Sequence, residues 1–224
     1  MNKETTKRVI LALILILPSA IYIILTTGKH NFVHLPFVGG EQNPITIPNF
    51  SFINQFSDTI TSTDYMGNIY VANFIFTTCP TICPVMTYQM LRVQQKFENY
   101  PNFKMLSHSV NPTYDTPEVL LQYANQMQVD LSNWNFVTGD KDAIYKIANS
   151  YLLNVMEDSL APGGFLHSEF LVLIDKQGKI RARVDEEGNS IGAYDGTSEY
   201  DIDLLIDDIK VLMAEYNLAR KETK

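Results

Sequence analysis

Residues 69–76 read IYVANFIF, eight positions with a single strongly polar side chain and mostly β-branched or aromatic residues. A strand this apolar cannot show a face to water, so it belongs at the centre of a sheet covered on both sides. The chain must therefore build at least three layers around it. Directly after the strand comes TTCPTICP, and then a helical pattern that runs to about residue 97. The chemistry of the molecule, if it has any, is placed at that strand-to-helix turn.

The rest of the chain supplies the other layers. Residues 50–53 and 59–61 form a short hairpin around 54–58, and residues 103–110 form a second apolar strand. Residues 116–127 form a helix with Pro117 in its first turn, 134–137 a short strand, and 141–150 a third helix. Residues 169–175 and 179–184 pair around Lys176-Gln177-Gly178, and 200–219 make an amphipathic last helix with Ile202, Leu205, Ile206, Ile209 and Leu212 on one side. Strand–helix alternation closed by a hairpin and a final helix predicts a mixed sheet flanked by helices, an α/β thioredoxin-like arrangement. At 224 residues and 46% hydrophobic, the chain is one globular domain with appendages, neither disordered nor a bundle of membrane spans. A net charge of −8 argues against nucleic acid, whose phosphates need a basic surface.

One appendage is plain. Residues 9–25 (VILALILILPSAIYIIL) are apolar and uncharged and follow a basic flank, and with Thr26 and Thr27 a helix at ~1.5 Å per residue comes close to the ~30 Å of a hydrocarbon core. The positive-inside rule then places residues 1–8 in the cytoplasm, a single-pass transmembrane anchor at 9–27 and everything later in the periplasm or outside the cell. The alternative is a cleaved signal peptide with its apolar region at 9–17 and a cut near Ala20. Pro18 would then crowd the cut, and residues 21–25 continue the run. Residues 28–44, broken by Pro36 and Gly39-Gly40, read as a stalk, 45–219 as the thioredoxin-like domain and 220–224 as a tail. His30 and His34 stand four apart in the stalk, but two histidines do not make a metal site.

Cys79 and Cys83 are the only cysteines, four apart, with a proline after each. If Pro84 is the first helical residue, both thiols lie in the turn leading into the helix, where unpaired N–H groups and the helix dipole favour thiolate. Buried cysteine is often mere packing, yet packing does not account for this placement. Three uses are open. Disulfide exchange is one, although the C-x-x-x-C spacing is a residue longer than the usual C-x-x-C. Zinc is another, but a structural site wants four ligands. The third is copper, whose reduced form accepts two thiolates and one further ligand. That ligand would be a histidine outside the motif. His108 sits inside an apolar strand pattern and reads as a satisfied structural residue. His167 follows Pro162-Gly163-Gly164 and precedes a strand, so its loop can approach the helix start; on residues alone it stays open between ligand and structure. Met86 and Met90 share a helix face beyond Cys83, a spacing typical of core, and are left out of the site.

At this point the chain resembles a known family. Residues 73–84 (NFIFTTCPTICP) are similar to the signature of the Sco/SenC proteins, membrane-anchored copper chaperones for the copper centre of cytochrome c oxidase. Ser109-Val110-Asn111-Pro112, Asp115-Thr116-Pro117-Glu118, Val137-Thr138-Gly139 and Phe165-Leu166-His167-Ser168 agree in order, so the likeness covers about residues 50–212. The resemblance implies Cys79, Cys83 and His167 as ligands of one copper ion, Cu(I) or Cu(II), with Cys79 and Cys83 forming a disulfide when oxidised. It implies a carrier rather than a turnover enzyme, with the copper-bearing subunit of cytochrome c oxidase as partner and an upstream copper donor. A tethered thiol–disulfide oxidoreductase that reduces the oxidase cysteines is the alternative; peroxide reduction has no motif of its own. Thr81 stands where many members have an acidic residue, and Leu166 where many have aspartate, which bears on tuning and docking. Asp115 either orders a loop near the site or caps the helix at Thr116, and the cap is the expectation.

Overall fold

The computed structural model describes residues 3–27, 34–153, 155–157, 165–185 and 189–222, without the side chains of 3, 8–10, 13, 20, 22–27, 157, 166, 167 and 218–222. The chain forms two compact units, Met1–Val33 and His34–Lys224.

The first unit is the helix α1 (Lys3–Thr27), with Pro18 inside it. Its large side chains, among them Leu11, Ile14, Leu15, Ile16, Leu17 and Ile21, are exposed. Among the described residues no helix is long and apolar enough to cross a membrane. Much of the expected anchor, including the side chains of residues 22–25, lies outside that set.

The second unit runs β1 (Ser51–Asn54), β2 (Thr59–Thr61), β3 (Ile69–Ile75), α2 (Ile82–Lys96), β4 (Phe103–Ser109), α3 (Pro117–Gln126), β5 (Trp134–Thr138) and α4 (Lys141–Ser150). It continues with β6 (Val155–Glu157), β7 (Phe165–His167), β8 (Phe170–Ile174), β9 (Ile180–Arg181), β10 (Arg183–Val184), β11 (Ser190–Ile191), β12 (Tyr194–Asp195) and α5 (Glu199–Glu222). The main sheet has the order β12-β8-β3-β4-β5-β1-β2, with β9 added on β8. β3, β4 and β5 are parallel, and β8 and β1 join them antiparallel. This is the mixed thioredoxin-like sheet, and all seven residues of β3 are buried at its centre.

The two faces are built differently. One face carries Phe74 and His108, packed by Phe50, Phe52 and Tyr151 at the end of α4. On the other, the Trp134 indole donates to Ser107 (2.9 Å), which donates to Asn73 (2.7 Å), and Tyr123 of α3 packs on Phe136. α3 is capped by Thr116, which accepts from the Val119 amide at 3.4 Å, and α4 by Asp140, which accepts from Ala143 at 2.9 Å.

Three elements differ from expectation. The span 179–184 is two short strands, β9 and β10, because β10 leaves β8 to pair with β11. β6 and β7 form a small antiparallel pair of their own, so His167 precedes β8 as expected but also ends a strand in place of a loop. Within the expected stalk, the Val38 amide donates to the Ile180 carbonyl (3.1 Å), and the Arg181 guanidinium donates to the Leu35 carbonyl (3.0 Å). Arg181 also pairs with Glu215 (2.6 Å) and Asp175 (3.3 Å), all three side chains being largely buried. Of the stalk histidines, His30 lies outside the described residues and His34 is exposed beside Glu215.

Candidate metal centre

The cysteine turn leaves the carboxyl end of β3. α2 begins at Ile82, so Cys83 is its second residue and Pro84 its third, not its first. Proline is accepted there because the first four N–H groups of a helix have no intrahelical acceptor in any case. Cys79 stays in the turn ahead of the helix. The five-residue span thus separates the two sulfurs by role, one before the helix and one inside it.

Thr81 holds the N-cap position but makes no side-chain cap bond. The Cys83 amide instead donates to Cys79 Sγ at 3.4 Å. Cys79 therefore fills the acceptor place that serine or aspartate commonly takes, and the positive end of α2 faces its sulfur. Both cysteines are present as thiols; Cys79 is 7% exposed and Cys83 fully buried. The hydrogen bond with Cys79, burial and the nearby Asp115 together push the Cys83 thiol well above the usual range, against a smaller opposing pull from the Phe76 backbone. The pair is asymmetric, with one sulfur ahead of the helix at its positive end and the other fully buried inside the first turn.

Asp115 is not the cap it was expected to be. Thr116 caps α3, and Asp115 is buried with its carboxylate turned to the loop between β3 and α2. It accepts from the Thr77 amide (3.2 Å), from the Thr77 hydroxyl and from Ser109 Oγ (2.5 Å). Burial raises its pKa against the lowering effect of those bonds. Tyr123, on the same helix, shares a 2.8 Å hydrogen bond with Thr87 of α2, and burial raises its pKa.

β7 reaches the same end of the sheet. The Phe165 ring packs on Phe76 at 5.3 Å between centroids. β8 pairs Val172 with Ala72, so its start at Phe170 stands level with Phe74 near the end of β3. The His167 backbone lies between these two points, paired with Val155. Its side chain and that of Leu166 lie outside the described residues. Among the described residues no group of three or more His, Cys, Asp or Glu side chains is placed to hold a metal.

The other candidates separate cleanly. Met86 and Met90 are fully buried core residues. His108 is structural, as expected, but among the described residues its ring nitrogens meet no hydrogen-bond partner at normal geometry. It stacks on Phe74 at 4.8 Å, and burial pushes its pKa down to about 3, with a weaker opposing effect of the Asn73 backbone.

Comparison with known proteins shows the family and the fold. The SCO1/SenC family profile matches residues 39–200. The chain is similar to a SCO1/SenC family lipoprotein of Bacillus anthracis, at 31% identity and TM-score 0.66 over 76% of this chain and 96% of that one. It is similar to BsSco, a member of the Sco family of cytochrome c oxidase assembly proteins in which a disulfide switch has been identified. That match has 26% identity and TM-score 0.63 over 75% and 94%. It shares its fold with yeast Sco1 in the copper-bound state, at 20% identity and TM-score 0.56 over 75% and 90%.

Proposed function

Because this chain belongs to the SCO1/SenC family, we propose that it is a membrane-anchored copper carrier that binds one copper ion through Cys79, Cys83 and His167 and delivers it to the copper-bearing subunit of cytochrome c oxidase. The observation that carries this reading is the placement of Cys79 Sγ against the first turn of α2, one turn from Cys83, at the sheet end that β7 also reaches. Two thiolates suit reduced copper, and a neutral imidazole completes a three-coordinate site without adding charge. Each thiol releases its proton on binding, the buried Cys83 only at the cost of its raised pKa, so copper uptake weakens as pH falls.

The anchor belongs to the same proposal. α1 exposes apolar side chains around its circumference, as a helix solvated by lipid does. The N-terminus would lie in the cytoplasm and the unit His34–Lys224 beyond the membrane, loaded by an upstream copper donor. Protease added to spheroplasts should digest that unit, and its protection would refute this topology.

The asymmetry of the two thiols favours a second reading, a tethered reductase of the oxidase cysteines. His167→Ala separates the two. Disulfide exchange needs only sulfur, so a reductase keeps its function in that strain. A carrier loses oxidase assembly nearly as fully as with Cys79→Ser. Copper titration of the full-length protein in detergent should show binding to the dithiol form that collapses on oxidation to the disulfide.

A further inference from the structure

α3 and the residue leading into it contact both flanks of the cysteine turn. Asp115, the residue before the α3 cap, takes the Thr77 amide and hydroxyl two positions ahead of Cys79. Tyr123, two turns along, bonds Thr87 four positions beyond Cys83. We propose that Asp115 and Tyr123 are positioning residues, a brace from α3 that holds the turn carrying Cys79 and Cys83 in the arrangement needed to receive the metal. The inference rests on the carrier reading of the pair, and it adds the groups that order it.

The helix does not need these bonds for itself. Thr116 caps it, Pro117 starts it, and Leu120 and Ala124 bury it in the core. The carboxylate also stands at some cost, since it is buried and its three donors are neutral. What those donors share is location: Thr77 leads the cysteine turn and Ser109 ends β4 beside it. Within the turn, Thr81 has φ −128 and ψ −82, outside helix and strand, and its side chain makes no cap bond; the Asp115 bonds tie the start of the turn to β4 and to the lead-in of α3. Ligands already held in place spare the ordering cost that a loose loop would impose on binding, and hydrogen-bonded support around the ligands is what supplies that order.

The test uses the full-length protein in detergent, with Asp115→Asn, Tyr123→Phe and Thr77→Val. Asp140→Ala, which removes the α4 cap away from the turn, serves as a control for lost stability. The first arm needs no metal. The pair is equilibrated with glutathione disulfide, each Cys79–Cys83 disulfide formed releasing two glutathione thiols. The brace is built on the thiol form, so Asp115→Asn should shift this equilibrium towards the disulfide by roughly tenfold, the effect of one ordinary hydrogen bond. Tyr123→Phe should shift it the same way by less, and Asp140→Ala should lower the melting temperature without a shift. In the second arm, competition with a Cu(I) chelator should show copper held about tenfold more weakly by Asp115→Asn than by wild type. An unchanged equilibrium in folded Asp115→Asn, or an equal shift in Asp140→Ala, overturns the brace. If Asp115→Asn does not fold, Thr77→Val carries the same expectation, since it removes one hydroxyl and keeps the side-chain shape. Failure of wild type to bind copper would strike the carrier reading, while the metal-free arm still decides the brace.

Discussion

Replacing His108 by leucine should flatten the dependence of stability on pH. The imidazole is fully buried among Phe50, Phe52, Phe74 and Tyr151, and its pKa falls from 6.5 to about 3. Its folded pKa lies below its unfolded one, so acid favours the unfolded chain, which takes up the proton first. The stability this residue allows at neutral pH is lost progressively as pH falls from 6.5 towards 3. At 1.36 kcal/mol per pH unit, the loss between pH 7.5 and pH 5 is about 2 kcal/mol, with a ceiling of about 5 kcal/mol below pH 3. Asp115 and Asp208, whose pKa values burial raises, act in the opposite sense. They are common to both proteins and cancel in the comparison. Leucine fills a similar volume and leaves no unpartnered nitrogen. Urea unfolding of the full-length chain, followed through the single buried Trp134, gives the free energy at each pH. Wild type should lose about 2 kcal/mol more than His108→Leu between pH 7.5 and 5. Parallel curves, or a His108 ring that titrates near 6.5 by NMR, would refute the reasoning.

Two further substitutions test the packing that supports the site. Arg181→Met should destabilise by about 3–5 kcal/mol in the same assay, because it strands the Leu35 carbonyl and the carboxylates of Asp175 and Glu215; a small loss would mean that water already reaches them. Gly196→Ala should cost about 1–3 kcal/mol, since a Cβ there falls 2.8 Å from the Glu169 carbonyl and 3.2 Å from Met86 Cγ; unchanged stability would show that the β12–α5 corner can yield.

The parts of this molecule that declare themselves in the sequence are those whose cause is local. The apolar run at 69–76 gave the central strand, and Thr116-Pro117 marked the start of α3 to within one residue, Thr116 being its cap and Pro117 its first residue. Pro84 misled by two residues, because proline fits any place in a first turn and the hydrogen bond from the Cys83 amide to Cys79 Sγ shows where the helix begins. The hairpins of β6 with β7 and β10 with β11 escaped notice, since strands of two or three residues are too short for alternation to show. Asp115 is the instructive case. Its position suggests a cap, but its partner Thr77 is 38 residues away, and only the parallel pairing of β3 and β4 brings their ends together. His108 likewise read as a satisfied residue because nothing in its strand reveals that Phe50, Phe52 and Tyr151 close around it.

The ligand set is where the account is most exposed. X-ray absorption at the copper edge, on the reduced full-length protein loaded with one equivalent of Cu(I), reads it directly. The arrangement of Cys79 and Cys83 at the start of α2, with β7 at the same end of the sheet, predicts two sulfurs and one nitrogen, and loss of the nitrogen in His167→Ala. A first shell of sulfur alone, unchanged by His167→Ala, would contradict it and return Met86 or Met90 to the site.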